Sequence, residues 1–557
     1  RHIRTFEKIV KNYFVIYIKN ADNVKIKSEE NTYNCIVDAR AEADDNPDNS
    51  SSENGNAAIY AACDLKLVGK GALSVTGNYN NGIQSKDDIS IKNVTIKVNA
   101  VNNAIKGNDE AAIESGEIIA ISRKGDGIKT SNSSLSNKGN QKGNVIISGG
   151  NIDIYAACDG IDAAYGVDVS GDGNLNIYTD TYSDYSEAVA ADNSGSSANS
   201  VGNPPDMNNS SSNSGNNPDM KGNFGGRNSA ANGMPGNNSS GNSSKKSYST
   251  KGIKADSEIN ISGTAINISS TDDGIHANSD SGVLETGEDG KGIISISGGT
   301  ITISTGDDGI HADKELNITD GYINVLTSYE GLEAITINIS GGQSFVYAAD
   351  DGINACTGDG TSTPLINITG GYVDVTTGSG DTDGIDSNGS YTQSGGMVLV
   401  KGGSSSGQVS GSIDVDGNIT ITGGTCVALG GICETPVNSV NAYVFSSVSF
   451  NAGSYSVKDS SGNEIISFTL NNSYSNGWIC TSALTTNTEY TLYCDGSSLT
   501  NWTQSAGTMG ASNAGGFGSN PGGFNGGGRG GNMNGGRNMN DNRNINGNNT
   551  PNNSNVQ

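Results

Sequence analysis

Asp307-Asp308-Gly309-Ile310-His311-Ala312-Asp313 is the clearest copy of a motif that recurs along this chain. Asp272-Asp273-Gly274-Ile275-His276-Ala277 precedes it, and Asp350-Asp351-Gly352-Ile353-Asn354-Ala355 follows it. Each copy combines paired acidic residues with a glycine, and a stretch of alternating apolar residues comes after it. Self-similarity of this kind predicts a repeat architecture.

The spacing of the motif glycines gives the period of the repeat. Gly309 and Gly331 are 22 residues apart, Gly331 and Gly352 are 21 apart, and longer intervals hold extra polar residues. The intervening apolar residues alternate with period two, as Leu316 and Ile318 do, which excludes a helical repeat. Short strands and glycine corners therefore predict an all-β chain that forms a right-handed parallel β-helix, with coils about 4.8 Å apart.

Changes in composition divide the chain into five predicted segments. A stretch rich in Asn, Ser and Gly has almost no aliphatic residue and cannot offset its ordering entropy, so we expect it to be disordered. The open end of a solenoid exposes sheet edges, which predicts a cap. The segments are N-terminal β-helix coils (1–190), a disordered Asn/Ser/Gly-rich insertion (191–250), C-terminal β-helix coils (251–436), a small antiparallel β cap (437–504) and a disordered Gly/Asn-rich tail (505–557).

Composition limits the classes of partner. The chain has 33% hydrophobic and 6% aromatic residues, which suits the narrow core of a solenoid. Its formal net charge of −27 argues against a nucleic-acid partner, because phosphate binding needs basic surface. No apolar run is long enough for a transmembrane helix. A strand-like stretch begins near Tyr13, so we expect that an export signal is missing from this sequence.

Stacked coils would place the acidic residues of successive motifs in columns. Two carboxylates one coil apart would repel by roughly 3–4 kcal/mol at an effective dielectric of 20, unless corner N–H groups or cations compensate. Hard oxygen ligands in excess select Ca²⁺. The alternative is that the aspartates only accept hydrogen bonds in the corners. The predicted Ca²⁺ ligands are Asp272, Asp273, Asp307, Asp308, Asp313, Glu330, Glu333, Asp350 and Asp351.

A second set of residues is predicted to contact a ligand. Tyr322 and Tyr372 occupy equivalent positions two coils apart, about 9.6 Å, and would form a stacking platform for a β-glucan unless they only cover a corner. His276, His311 and Asn354 share one position in three motifs and would reach the same ligand. For the two histidines, a zinc pair and a simple hydrogen bond to aspartate are alternatives.

The Asp-Asp-Gly-Ile-[His/Asn]-Ala corners, the Ser328-Tyr329-Glu330-Gly331-Leu332-Glu333 coil and the Ile-x-Ile-x-Gly-Gly strands resemble those of the bacterial extracellular carbohydrate-binding β-helix family. The resemblance spans roughly residues 15–495. It implies a shape similar to that of pectate lyases, calcium binding, and recognition of cellulose and polygalacturonate without established cleavage.

Three functions remain open at this point. The leading hypothesis is non-catalytic, calcium-dependent binding of a plant-type or cell-wall polysaccharide by an extracellular or cell-surface monomer, with no catalytic residue. A polysaccharide lyase would need Ca²⁺ on a uronate and a base for the C5 proton, for which Arg123, Lys124 or Lys129 beside Asp126 are candidates. A structural adhesin or stalk would use the acidic columns for rigidity alone.

Overall fold

The structure is a computed structural model that describes residues 15–19, 21–42, 55–179, 249–357, 361–378, 382–402, 411–430 and 434–505. These ranges consist of β-strands, turns and bends and contain no helix, which confirms the all-β class for this part of the chain. Accordingly, no helix in the described ranges has the length and apolar character needed to cross a membrane.

The chain divides into two compact units. The N-terminal unit comprises Arg1–Ala255, Thr264–Ile275 and Leu284–Glu288, and the C-terminal unit comprises Asp256–Gly263, His276–Val283 and Asp289–Gln557.

In chain order the strands are β1 (Ile16–Ile18), β2 (Asn23–Ser28), β3 (Tyr33–Asp38), β4 (Ala57–Ala61), β5 (Asp64–Gly69), β6 (Ala72–Gly77), β7 (Asn81–Ser85), β8 (Asp88–Lys92), β9 (Val94–Ala100), β10 (Ile105–Lys106), β11 (Glu110–Ile113), β12 (Gly116–Ser122), β13 (Ile128–Lys129), β14 (Asn144–Ile147), β15 (Gly150–Ala156), β16 (Ile161–Ala163), β17 (Gly166–Val169), β18 (Gly173–Thr179), β19 (Ile253–Ala255), β20 (Glu258–Ser269), β21 (Ile275–Ala277), β22 (Ile293–Ser304), β23 (Ile310–Thr327), β24 (Leu332–Ile339), β25 (Gln343–Ala348), β26 (Ile353–Ala355), β27 (Leu365–Ile368), β28 (Tyr372–Thr377), β29 (Ile385–Ser387), β30 (Ser390–Gln393), β31 (Met397–Lys401), β32 (Ile413–Val415), β33 (Ile419–Ile421), β34 (Thr425–Leu429), β35 (Asn438–Ser439), β36 (Ala442–Phe445), β37 (Gly453–Asp459), β38 (Glu464–Leu470), β39 (Gly477–Thr481), β40 (Glu489–Cys494) and β41 (Ser497–Thr503).

The N-terminal unit is built from parallel strand pairs in which each residue pairs with a similar residue one repeat later. Ile83 pairs with Ile105, and Ile105 pairs with Ile128 on its other side. The same column continues to Ile161 and then to Ile253. All five side chains are buried, so the column is part of the hydrophobic core. Burial of one such side chain stabilises the fold by about 1.5–3 kcal/mol.

The C-terminal unit repeats this arrangement. Ile318 pairs in parallel with Ile339, and Ile339 pairs with Ile368. Each of the three is at most 1% exposed. Parallel pairing of each strand with its counterpart one repeat later is consistent with the predicted parallel β-helix, whose right-handedness remains a prediction.

The motif glycines are required where two repeats approach at a corner. The Gly331 N–H donates to the carbonyl of Asp351 at 2.9 Å. A Cβ atom on Gly331 would lie 2.3 Å from the Gly352 carbonyl oxygen and 2.2 Å from Cγ1 of Val346. No side chain fits there without displacing the backbone of the following repeat, which explains why glycine recurs.

The end of the described chain changes to antiparallel pairing. Strands β38, β37, β40 and β41 form a four-stranded antiparallel sheet, and β39 pairs antiparallel with both β34 and β36. Its apolar residues share one core with Leu399, Val427 and Leu429 of the parallel strands. These strands lie within the range predicted for the antiparallel β unit, and its role as a cap remains a prediction. Of the insertion at 191–250 and the tail at 505–557, only residues 249, 250 and 505 are among the described residues.

Candidate functional site

The residues two positions after the motif glycines, or after Ala104 and Ser412 in the equivalent position, form one column in each unit, which we call the corner column. The column is cationic for most of its length in the N-terminal unit and acidic in the C-terminal unit. In the N-terminal unit it reads Gln84, Lys106, Lys129, Asp162 and Lys254. In the C-terminal unit it reads His311, Glu333, Asn354, Asp386 and Asp414.

His311 is surrounded by carboxylates. Its Nδ1 atom lies 3.1 Å from Oδ2 of Asp308 and 3.3 Å from Oε2 of Glu333. Its Nε2 atom lies 3.5 Å from Oδ1 of Asp313. The His276 ring stacks on the His311 ring at a centroid distance of 4.4 Å. The two predicted histidines therefore belong to one cluster.

Asp313 is held in place by contacts with His276 and Ser279. Its Oδ1 atom lies 3.2 Å from Nε2 of His276, and its Oδ2 atom accepts the backbone N–H of Ser279 at 2.6 Å. Burial raises the pKa of Asp313, but the His276 hydrogen bond and the two histidine rings outweigh it and lower the pKa overall. Asp313 is therefore an anchored carboxylate beside the His311 ring.

The carboxyl groups of the next repeats have raised pKa values, because their surroundings make ionisation unfavourable. Burial, followed by the charges of Glu333 and Asp308, raises the pKa of Glu330 to about 9. Burial also raises the pKa of Glu333 to about 7, although His311 opposes the shift. Asp386 has a pKa of about 8, because it is buried and its charged neighbours are aspartates. A cation would remove this conflict.

Asn354 lies in the middle of these carboxyl groups. Its Nδ2 atom donates to Oε2 of Glu330 at 2.6 Å. Its Oδ1 atom is buried and accepts no hydrogen bond from any residue that the structure describes, and the residue is 4% exposed. A buried amide oxygen without a donor costs about 1–3 kcal/mol. This oxygen is therefore available to a cation.

A cleft of about 290 Å³ opens beside the cluster. One of its walls includes Cys356, whose thiol donates to Oε1 of Glu333 at 3.1 Å. Burial and the nearby Glu333 raise the pKa of Cys356 strongly, so it is a neutral thiol at pH 7. The cleft gives small molecules access to His311, Asp313 and Glu333. Its lining residues are Ser279, His311, Ala312, Asp313, Lys314, Glu333, Ala334, Ile335, Cys356 and Thr357.

Lysines compensate the equivalent acids of the N-terminal unit. Nζ of Lys251 lies 2.9 Å from Asp272 and 2.6 Å from Asp273. Nζ of Lys129 lies 2.8 Å from Asp126 and also contacts Asp162. Asp272 and Asp273 were predicted to bind Ca²⁺, and Lys251 supplies a positive charge that weakens the case for those two residues.

Tyr322 and Tyr372 lie on an aromatic row that includes a third ring. The Phe345 ring is 5.3 Å from that of Tyr322 and 5.6 Å from that of Tyr372, with interplanar angles of 40° and 45°. Tyr322 is 39% exposed, and the other two rings are partly exposed. Because the rings contact each other, they form one aromatic surface rather than two separate stacking faces.

Asp307 and Asp350 flank Tyr329 rather than the His311 cluster. The Tyr329 N–H donates to the Asp307 carbonyl at 2.8 Å, and the Asp350 N–H donates to the Tyr329 carbonyl at 2.9 Å. The Tyr329 hydroxyl donates to the Asp350 carboxylate, which, with burial, raises the pKa of Tyr329 strongly. The Asp350 carboxylate therefore borders an exposed tyrosine.

The structure brings Asp308, His276, His311, Asp313, Glu330, Glu333 and Asn354 together and places Asp351 in the same corners. Three participants were not predicted as site residues. Asp386 lies two positions after Gly384 in a further copy of the motif, so the motif spacing could have identified it. Phe345 stands between buried Ser344 and Val346, and this alternation predicts an outward ring. Cys356 carries no comparable signal in the sequence.

The donor chemistry separates two parts of the acidic corners. Glu330, Asn354 and Asp386 offer only oxygen atoms, and one of these is the buried amide oxygen without a donor. This set fits Ca²⁺, which takes 6–8 oxygen ligands. Asp308, His311 and Glu333 place an imidazole nitrogen between two carboxylates. That set does not fit Ca²⁺, which rarely takes nitrogen ligands.

Comparison with known proteins places this chain in a family. A family model described as carbohydrate-binding domain-containing protein matches residues 9–288 and 283–381. A relative with the same description from Acetivibrio thermocellus is 40% identical over 85 residues, 15% of this chain and 28% of the relative. The chain thus matches less than a third of that relative's length.

A solved structure, titled as the polysaccharide lyase-like protein from C. thermocellum in a gadolinium derivative, is also similar. It is 35% identical, covers 30% of this chain and 65% of its own, and superposes with a TM-score of 0.26. The family model alone spans well over half of the 557 residues. This chain belongs to the family of carbohydrate-binding domain-containing proteins.

Proposed function

We propose that this protein binds cell-wall polysaccharide, of polygalacturonate-like or cellulose-like type, in a calcium-dependent manner outside the cell and does not cleave it. Membership of a carbohydrate-binding family supports the class of partner. The observation that carries the calcium dependence is the acidic corner around Asn354, where a buried oxygen without a donor lies among carboxyl groups. An acidic sugar would be repelled by this corner unless a cation lay between them.

Glu330, Asn354 and Asp386 are the residues that would hold the calcium ion. Bound Ca²⁺ would supply positive charge and open coordination positions for the carboxylate or hydroxyl oxygens of a sugar. Asn354 and Asp386 occupy equivalent positions in successive repeats, and Asn354 also contacts Glu330. Since the pKa values of Glu330 and Asp386 are about 9 and 8, Ca²⁺ would compete with protons at pH 7.

The aromatic row supplies a second surface, suited to a neutral glucan. Tyr322 and Tyr372 both pair with Gln343 across successive repeats, and the Phe345 ring contacts both tyrosine rings. Tyr347 and Leu326 are also large, apolar and more than 40% exposed on the same strands β23 and β25. Sugar rings pack on aromatic side chains through their C–H faces, which is the apolar contact that this row offers.

Affinity electrophoresis in gels that contain polygalacturonate, run with Ca²⁺ and with EDTA, tests the proposal. We expect retardation with Ca²⁺ and its loss with EDTA. The double variant Glu330→Gln with Asp386→Asn should weaken the calcium-dependent retardation at least tenfold. Glu464→Gln, an exposed site on β38, is the matched control. Equal retardation with Ca²⁺ and EDTA would refute calcium dependence, and no retardation by any polysaccharide would refute the proposal itself.

A polysaccharide lyase is the first alternative. It needs a base, and Lys129 is the predicted candidate closest to an acidic corner. Lys129 is held by Asp126 and Asp162, and their charges raise its pKa against the opposing effect of burial. A lysine with a raised pKa accepts a proton from carbon poorly, because it is already protonated. Release of unsaturated uronate from polygalacturonate, followed by ultraviolet absorbance, would favour the lyase.

A structural stalk is the second alternative, and one feature favours it. Asn338 donates to Asn317 at 3.0 Å, and Asn367 donates to Asn338 at 3.3 Å. Thr392 extends the row by donating to Asn367 at 2.9 Å. Such a ladder stiffens the stacked repeats without any ligand. A protein that binds no glycan and no Ca²⁺ would support this function.

A further inference from the structure

We propose that Asp308, His311 and Glu333 form a binding site for one divalent transition-metal ion of the zinc class. This site is distinct from the calcium set around Asn354. The proposal goes beyond the binding of polysaccharide and does not depend on it. The spacing of the three ligand atoms and the groups that orient them support this site.

The spacing matches a metal site before any ion is bound. In a tetrahedral site with bonds of about 2.0–2.2 Å, ligand atoms lie about 3.4 Å apart. Nδ1 of His311 lies 3.1 Å from Oδ2 of Asp308 and 3.3 Å from Oε2 of Glu333. All three ligand atoms lie within 4.8 Å of one another. Only small side-chain adjustments are needed to place an ion between them.

Each proposed ligand has its other polar atom fixed by a neighbour. Nε2 of His311 faces Asp313, the carboxylate–histidine–metal arrangement that orients metal-binding imidazoles. Asp313 is itself fixed by the Ser279 N–H. Oδ1 of Asp308 accepts the Glu330 N–H at 3.3 Å, and Oε1 of Glu333 accepts the Cys356 thiol. The three proposed ligand atoms lie within 4.8 Å of one another.

Two carboxylates converge on one imidazole nitrogen in this corner. Oδ2 of Asp308 and Oε2 of Glu333 both lie within 3.3 Å of Nδ1 of His311. Asn354 lies one repeat further along, in register with Glu333. Its amide nitrogen donates to Glu330, which belongs to the calcium set. A cation bound between the carboxylates of Asp308 and Glu333 would offset their mutual repulsion.

The ligand types select the metal. Imidazole nitrogen suits Zn²⁺ and its neighbours, whereas Ca²⁺ prefers oxygen alone. The cleft lined by His311, Asp313 and Glu333 leaves space for water as a fourth ligand. With two carboxylates and one histidine, the site would bind its ion with the imidazole neutral and both carboxylates ionised.

Metal titration of the full chain, after EDTA treatment, tests the site. Zn²⁺ affinity would be measured by competition with a chromophoric chelator, and Co²⁺ would report nitrogen ligation by its visible absorption. We expect the wild type to bind Zn²⁺ in the presence of millimolar Ca²⁺, and His311→Asn to bind it at least tenfold more weakly. Asparagine already occupies the corner column at Asn354, so this variant suits the fold. Circular dichroism checks that it is folded.

Two further variants keep the test decisive. Asp313→Asn retains all three ligands and should weaken Zn²⁺ binding by about 10–100-fold, because Asp313 only orients the ring. Glu333→Gln should abolish the Co²⁺ absorption of the site. Glu464→Gln, at an exposed site on β38, is the control and should leave Zn²⁺ affinity unchanged. Equal Zn²⁺ affinity of wild type, His311→Asn and Glu333→Gln would overturn the proposal.

Discussion

Asp351 accepts the backbone N–H of Asp383 through Oδ1 at 2.7 Å, across 32 residues of chain. Asp126 accepts the N–H of Asp159 at 3.1 Å in the same way. In each case the acid before the motif glycine closes the corner of the following repeat. The repeated aspartates therefore have a structural task, and repetition alone does not identify a metal ligand.

The buried Asp159 should make stability depend on pH. Its Oδ1 accepts the Lys251 N–H at 2.8 Å, and burial, with the charges of Asp126 and Asp162, raises its pKa to about 7. A carboxyl group whose pKa is raised in the folded state binds its proton more tightly there. Its contribution is complete below the unfolded pKa of about 4 and is lost as pH rises through about 7.

Asp159→Asn should remove that loss, because asparagine keeps the accepting oxygen and never ionises. Asn103 already fills the equivalent position and accepts the Asp126 N–H at 3.0 Å. We expect the free energy of unfolding of the variant to gain about 2–4 kcal/mol relative to wild type between pH 4 and pH 8. Urea unfolding across this range measures it, with the exposed Asp22→Asn as control. Parallel pH profiles for wild type and Asp159→Asn would contradict the raised pKa.

The column of isoleucines should be the main source of stability in the C-terminal unit. Ile339 lies between Ile318 and Ile368 and is 1% exposed. Ile339→Ala removes buried methyl groups and leaves a cavity, so we expect a loss of about 2–5 kcal/mol in the free energy of unfolding. Leu326→Ala, at a side chain that is 49% exposed, should cost less than about 0.5 kcal/mol. Similar costs at the two positions would argue against the stacked core.

The corner glycines should tolerate no side chain. Gly331→Ala would place Cβ 2.3 Å from the Gly352 carbonyl oxygen, so the following repeat must shift. We expect a loss of about 1–3 kcal/mol and a lower melting temperature, measured by calorimetry. Thr336→Ala, on the outward side of the neighbouring strand β24, is a comparison without this clash. A melting temperature unchanged by Gly331→Ala would show that the repeats are more widely spaced than described.

The aromatic row should contribute to the binding of neutral glucan. Phe345→Ala removes the ring that contacts both Tyr322 and Tyr372, and each aromatic contact is worth about 0.5–1.5 kcal/mol. We therefore expect binding to insoluble cellulose to weaken about 2–12-fold in a pull-down assay. Tyr33→Ala, at an exposed ring of the N-terminal unit, serves as the control. Undiminished cellulose binding by Phe345→Ala would remove the row from the proposed function.

The sequence alone determined the repeat, because the requirements for it are local. A glycine at each corner and alternating apolar residues specify strands of one length, and strands of one length pair in register. The stacking of Ile318, Ile339 and Ile368 confirms this expectation. The corner column could also be predicted from the sequence, because residues two positions after each motif glycine occupy equivalent positions in successive repeats.

Only the tertiary structure decided which of the predicted acids differ from the rest. Lys251 contacts Asp272 and Asp273, and no local sequence pattern predicts that contact. The distances around His311 and the Asn354 oxygen without a donor depend on side-chain conformations across three repeats. The repeat determines which residues are neighbours. Whether a carboxylate is neutralised depends on which side-chain atoms contact it, and packing determines those contacts.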